Sequence, residues 1–101
     1  MSESELEIYW EHKKQLFTTP KVLSVLAREV NRLCENTKLD FGEQYIAVFI
    51  FELLCFTLEI PQGRQMYLRL LNHIAPFRPE IAEKYWRIFD NQENMKKRYN
   101  L

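Results

Sequence analysis

Residues Tyr45–Leu58 read YIAVFIFELLCFTL, and only Glu52 and Thr57 interrupt fourteen otherwise apolar positions. Placed on a helix at about 100° per residue, these side chains sweep far beyond the ~100° stripe that a surface helix needs. Such a helix is either walled in by several neighbours or keeps one face for something outside the chain. That alternative is the functional question the sequence poses. As a helix the stretch is about 21 Å long, short of the ~30 Å hydrocarbon core of a bilayer, so it does not read as a transmembrane span.

Working outward, this central helix extends from about Phe41 to Glu59, with a narrow polar stripe of Gln44, Glu52 and Glu59. The turn before it is Asn36-Thr37-Lys38-Leu39-Asp40, where Asp40 followed by Glu43 resembles an acidic capping box. Helix two, Pro20 to about Asn36, places Leu23, Leu26, Val30 and Leu33 on one side and Arg28, Asn31, Arg32 and Glu35 on the other. Thr19 is its expected N-cap and Pro20 its first position. Helix one, about Ser4 to Phe17, takes Ser2 or Ser4 as cap and early glutamates at its positive end. Its Leu6, Tyr9, Trp10, Leu16 and Phe17 share an arc with Lys13 caught in the middle, where the long lysine stem is expected to snorkel to water.

Beyond Ile60-Pro61-Gln62-Gly63, helix four runs from about Gly63 to Ala75. Met66, Tyr67, Leu70, Leu71 and Ile74 form its apolar face, and Gln65, Arg69, Asn72 and His73 form its exposed stripe. Pro76-Phe77-Arg78-Pro79 orients helix five, whose Ala82, Tyr85, Trp86, Ile88 and Phe89 share a face. After Asp90 the apolar pattern collapses. Residues 1–90 therefore read as a single helical domain, and 91–101 as a polar, basic helix extension or frayed tail. The predicted fold is all-α: a compact five-helix orthogonal bundle, or a short stack of two helical hairpins, around the apolar helix at about 41–59.

A chain of 101 residues with 47% apolar and 28% charged content builds one core and is no disordered polymer. Fourteen aromatic side chains against two glycines supply large burial and leave little material for phosphate-cradling loops. Cys34 and Cys55 lie on apolar helical faces. If helices two and three form a hairpin, they fall too far apart to bridge, and unpaired buried thiols fit a reducing compartment. No apolar signal region follows the acidic start, so the expected location is intracellular, cytoplasmic or nuclear.

Chemistry is hard to find. His12 and His73 have no cysteine, serine or acid at a recognisable catalytic spacing, and no Cys-x-x-Cys, His-x-x-x-His or Glu-x-x-His pair offers a metal site. Neither nucleotide fingerprint is present. The expectation is a protein without enzymatic activity, cofactor or metal.

Binding is the remaining class. Formal charge is zero, but residues 1–60 carry a net −4 and residues 61–101 a net +4. Acids early and bases late complement helix dipoles, and they can also steer a charged partner or head-to-tail self-association. The leading expectation is a protein-interaction module, a small subunit or adaptor that accepts a partner helix or peptide on an aromatic face. Trp10, Phe51, Trp86 and Phe89 are its expected anchors, with Glu52 and the basic tail supplying specificity. Glu52 either shares an exposed stripe with Glu59, pairs with Lys13 or Arg69, or anchors a partner's arginine. One alternative is a DNA- or RNA-binding regulator that uses Arg64, Arg69, Asn72 and His73 with Lys96, Lys97 and Arg98 on phosphates. Zero net charge weighs against it. A second alternative is an obligate homodimer burying helix three.

Overall fold

A computed structural model describes residues 2–35 and 42–99, the last two by backbone alone, and five helices occur among them. They are α1 (Glu3–Phe17), α2 (Pro20–Glu35), α3 (Glu43–Phe56), α4 (Pro61–Ile74) and α5 (Pro79–Tyr99), and no strand occurs among the described residues. The protein is an all-α helical bundle.

Local chemistry sets the boundaries. Ser2 caps α1 by accepting from the Glu5 N–H, while the Glu5 carboxylate reaches back to the Ser2 N–H in a capping box. The Thr18 hydroxyl donates to the Lys14 carbonyl and that of Thr19 to the Leu16 carbonyl, which closes α1. The Val22 N–H then donates to Thr19 Oγ1 at 3.4 Å, so Thr19 opens α2 as its sequence position implies. The anticipated Asp40 capping box lies outside the described residues; α3 begins at Glu43, with Gly42 as its cap residue.

The α3–α4 corner departs from the sequence reading. α3 stops at Phe56 rather than Glu59: Thr57 leaves the helical backbone at φ −125°, and as C-cap it brings both its N–H and its hydroxyl to the Leu53 carbonyl, at 3.1 and 2.8 Å. α4 starts at Pro61, two residues earlier than expected, since proline at the first helical position forfeits only an N–H that has no helical partner anyway. Gly63 thus lies inside the first turn of α4, buried against Thr57. A Cβ at this position would sit 2.0 Å from the Thr57 carbonyl oxygen.

The core joins four helices. Val30 and Leu33 of α2, Ile46, Ile50 and Leu53 of α3, Tyr67, Leu70, Leu71 and Ile74 of α4, and Ala82, Tyr85 and Phe89 of α5 belong to one buried cluster. α4 touches α2, α3 and α5, whereas α3 touches α1, α4 and α5. The backbones of α2 and α3 stay apart among the described residues, and the two helices meet through side chains, with Tyr45 of α3 beside Glu29 and Arg32 of α2, so they are not the closely packed hairpin assumed in placing the cysteines. α4 lies against α2 instead, and Arg69 of α4 donates to the Asn31 side chain of α2. Cys34 and Cys55 are both free. Two tyrosines stitch the centre: the Tyr67 hydroxyl donates to the Tyr85 carbonyl at 2.6 Å, and the Tyr85 hydroxyl to the Ala47 carbonyl at 3.4 Å.

Gly63→Ala is expected to lower the urea midpoint by the equivalent of about 2 kcal/mol, despite alanine's better helix propensity, because the clash is with backbone. Tyr67→Phe, which only removes the buried hydroxyl, is expected to cost about 1 kcal/mol in the same assay.

Candidate functional site

Phe56 is the last residue of α3 and is itself buried. Trp10 and Phe17 of α1 lie on it, with ring centroids at 4.9 and 5.0 Å. The Lys13 ammonium sits between them, 5.3 Å from the Phe56 ring, 5.5 Å from Tyr9 and 5.9 Å from Phe17. Lys13 was the misfit on an aromatic arc. The arc accommodates it by cation–π attraction as well as by the reach of its stem. Next to it, Lys14 pairs with Glu59 at 2.9 Å.

This clamp draws on α1 from Tyr9 onward, so Tyr9 and Trp10 belong both to the seat and to the exposed face. None of the fifteen residues of α1 is buried. Toward its N-terminus Leu6, Tyr9 and Trp10 remain 45%, 48% and 38% exposed. Leu6 and Trp10 line a shallow depression of about 460 Å³ together with Glu3, Glu7 and Glu11.

α3 is enclosed on one side only. Tyr45, Val48 and Phe51 recur every three residues and stay exposed, while Glu52 and Cys55 are half-buried. Glu52 has no ion pair among the described residues. Of the cations expected to meet it, Lys13 faces the rings and Arg69 is held by Asn31. Glu59 lies past the end of α3 and is engaged by Lys14, so it does not continue a free acidic stripe.

The expected anchors separate. Trp10 and Phe51 are exposed. Trp86 is half-buried, edge-on to Phe89 at 5.9 Å. Phe89 is a core residue, 8% exposed, stacked on Tyr67 at 5.8 Å and covered by the Arg64 guanidinium at 5.5 Å. No partner reaches it without opening the bundle. Both apolar faces run through residues the anchor set omitted: Leu6, Tyr9, Tyr45 and Val48. Their helical spacing alone did not tell a covered face from a bare one.

The basic residues divide similarly. Arg64 sits 2.8 Å from Glu93 of α5, and Arg69 is committed to Asn31. His73 lies against Phe77, with ring centroids 5.9 Å apart. Asn72, Lys96 and Lys97 are exposed, and the Arg98 side chain lies outside the described residues. Two of the guanidiniums that a recognition helix would use are therefore spent within the chain.

Lys14, Leu54, Cys55, Glu59, Met95 and Lys96 line a cleft of about 360 Å³ where α1, α3 and α5 meet. No sequence motif announces it, because it arises from α5 continuing past its last apolar turn. Burial, and then the Glu52 charge, push the Cys55 thiol above its ordinary value. That is opposite to the shift an activated nucleophile needs. Among the described residues no three His, Cys, Asp or Glu side chains group to hold a metal ion, and no helix is long and apolar enough to cross a membrane.

The chain matches no protein-family model, no curated protein and no solved structure.

The Arg64 guanidinium beside it holds the Glu93 carboxyl below its usual value, and Lys14 does the same for Glu59. A carboxylate whose pKa is lowered by folding contributes stability above its unfolded value, near 4.3, and loses that contribution as pH falls through the lower folded value. The urea midpoint is expected to drop on acidification below about pH 4.3. Glu93→Gln should flatten part of that drop, by about 1 kcal/mol or less for a half-buried, partly solvated pair.

Proposed function

We propose that the protein is a non-catalytic protein-interaction module, a small subunit or adaptor that takes a partner helix or peptide on the aromatic face of α1. One observation carries this reading: a capped helix of fifteen residues buries none of them and presents Leu6, Tyr9 and Trp10 to solvent. A helix of this length is marginal in water by itself, and the Phe56 clamp gives it a fixed seat. Leu6 adds little to the bundle's own stability, while Tyr9 and Trp10 serve the seat with one part of their rings and leave the rest open. Aromatic side chains so placed are the kind that dominate binding energy at protein interfaces. The two free thiols suit a reducing compartment, inside the cell.

The exposed line Tyr45, Val48, Phe51 on α3 favours a second reading, a homodimer that buries this face across a two-fold axis. Sedimentation separates it from the first: a mass that rises with concentration and returns to the monomer value in Phe51→Glu supports the dimer.

The principal test is affinity purification from native lysate with and without nuclease, comparing the unsubstituted protein with Trp10→Ala/Phe51→Ala. Because Trp10 also packs on Phe56, Leu6→Ala/Phe51→Ala, which leaves that seat intact, is compared alongside and is expected to change folding stability by less than about 1 kcal/mol. Loss of a nuclease-resistant, stoichiometric protein partner is the expected result. Undiminished recovery of that partner would refute the reading.

A further inference from the structure

The charges on α1 narrow the partner's chemistry. Glu3, Glu7 and Glu11 stand one turn apart in a single row beside Leu6 and Trp10. Glu7 and Glu11 also border a second depression with Ile8, which is 69% exposed. The rest of that lining, His12 and Gln15, is polar, so the acids form a ridge beside one apolar strip and a lone exposed isoleucine. Like charges four residues apart destabilise a helix. Attraction to the helix dipole fades within the first turn. It accounts for Glu3 and for the capping Glu5, but not for Glu7 and Glu11.

Nothing among the described residues neutralises that ridge. α1 has two cations, and both face the bundle: Lys13 lies among the rings of Tyr9, Phe17 and Phe56, and Lys14 is paired with Glu59. Glu3, Glu7 and Glu11 are left exposed without an ion pair, against an apolar face that is also uncovered. The charge sign repels a polyanion or an anionic membrane surface. A second copy of the chain fits less well. Of the exposed basic surfaces it would offer, Lys96 and Lys97 already lie near Glu93 with Met95 as their exposed apolar neighbour, and Lys21 and Arg28 of α2 flank Val25 alone, so neither presents the row of bulky apolar residues this face needs.

We propose that the α1 face binds a basic amphipathic helix, a segment with bulky apolar residues at i, i+3 and i+4 spacing flanked by Lys or Arg that meet Glu3, Glu7 and Glu11. This rests on the interaction-module reading and adds the sign and periodicity of the partner. The acidic overhang from Glu3 to Glu11 is about 13 Å long, room for two or three turns of such a helix.

The test uses the full chain carrying Trp86→Phe, which leaves Trp10 as the only indole. Three synthetic fourteen-residue peptides are titrated: Leu and Lys in helical amphipathic register, the same pattern with Glu for Lys, and the Leu/Lys composition scrambled. The expected result is a saturable blue shift of Trp10 emission with the amphipathic basic peptide alone. Its affinity should fall at least tenfold in Glu7→Lys/Glu11→Lys and weaken steeply as salt rises. Should Trp86→Phe lower stability, isothermal titration of the unsubstituted chain against Glu7→Gln/Glu11→Gln gives the same comparison. Absence of binding, equal binding by the charge variants, or a Trp10-dependent self-association that occupies the face overturns the proposal. Binding of the Glu peptide, abolished by Trp10→Ala, overturns the basic partner while leaving the module reading intact. Failure of every peptide, together with partner recovery unaffected by Trp10→Ala/Phe51→Ala, removes both.

Discussion

The close approach of Thr57 to Gly63 is the constraint on which the rest of the molecule depends. α3 can end against the first turn of α4 only because no side chain stands on Gly63. Thr57 is fully buried there, with its hydroxyl returned to the Leu53 carbonyl. Three neighbours follow from this corner. Phe56, one residue before it, becomes the seat of α1; Leu58, one after it, is buried; Glu59 is left outside to meet Lys14. A single glycine thereby couples the central packing of α3 on α4 to the position of the outermost helix.

The bundle is unequal in its parts. α4 carries Tyr67, Leu70, Leu71 and Ile74 fully inside and touches three helices, so burial of apolar area acts most strongly there. α1 touches α2 and α3 and is held by Phe17 against the core, by ring contacts, one caged lysine and one exposed ion pair. Interactions of that kind are individually small. They are enough to orient a helix and too few to bury it. The Leu6, Tyr9 and Trp10 face is therefore already helical and largely uncovered, a combination that lowers the entropic cost of binding.

Helix number, helix type and the Thr19–Pro20 start were legible in the sequence, because hydrophobic period and capping chemistry are local. The surplus of apolar surface on residues 45–58 was legible too, and Tyr45, Val48 and Phe51 are where it emerges. What lay beyond reach was which neighbour covers which face. Phe89 and Trp86 share an arc in the sequence, yet Phe89 is sealed under Arg64 while Trp86 stays half-open at its edge. The pairing of α2 with α4, rather than with α3, is likewise a long-range property with no local signature. Gly63 looked like a linker residue because close backbone approach between two helices leaves no mark on periodicity. The caged Lys13 could have been anticipated, since Tyr9 and Phe17 stand four residues to either side of it, but its third ring comes from α3.

Native-state hydrogen exchange across rising sub-denaturing urea addresses the central claim, that α1 is an outer helix seated on Phe56 and separate from the core of α2–α5. Amides of α1 are expected to exchange through a local opening with weak urea dependence, well before those of Tyr67–Ile74, which should follow global unfolding. If α1 amides join the α4 amides in one global isotherm, α1 is part of the cooperative core and the separation drawn between them is wrong.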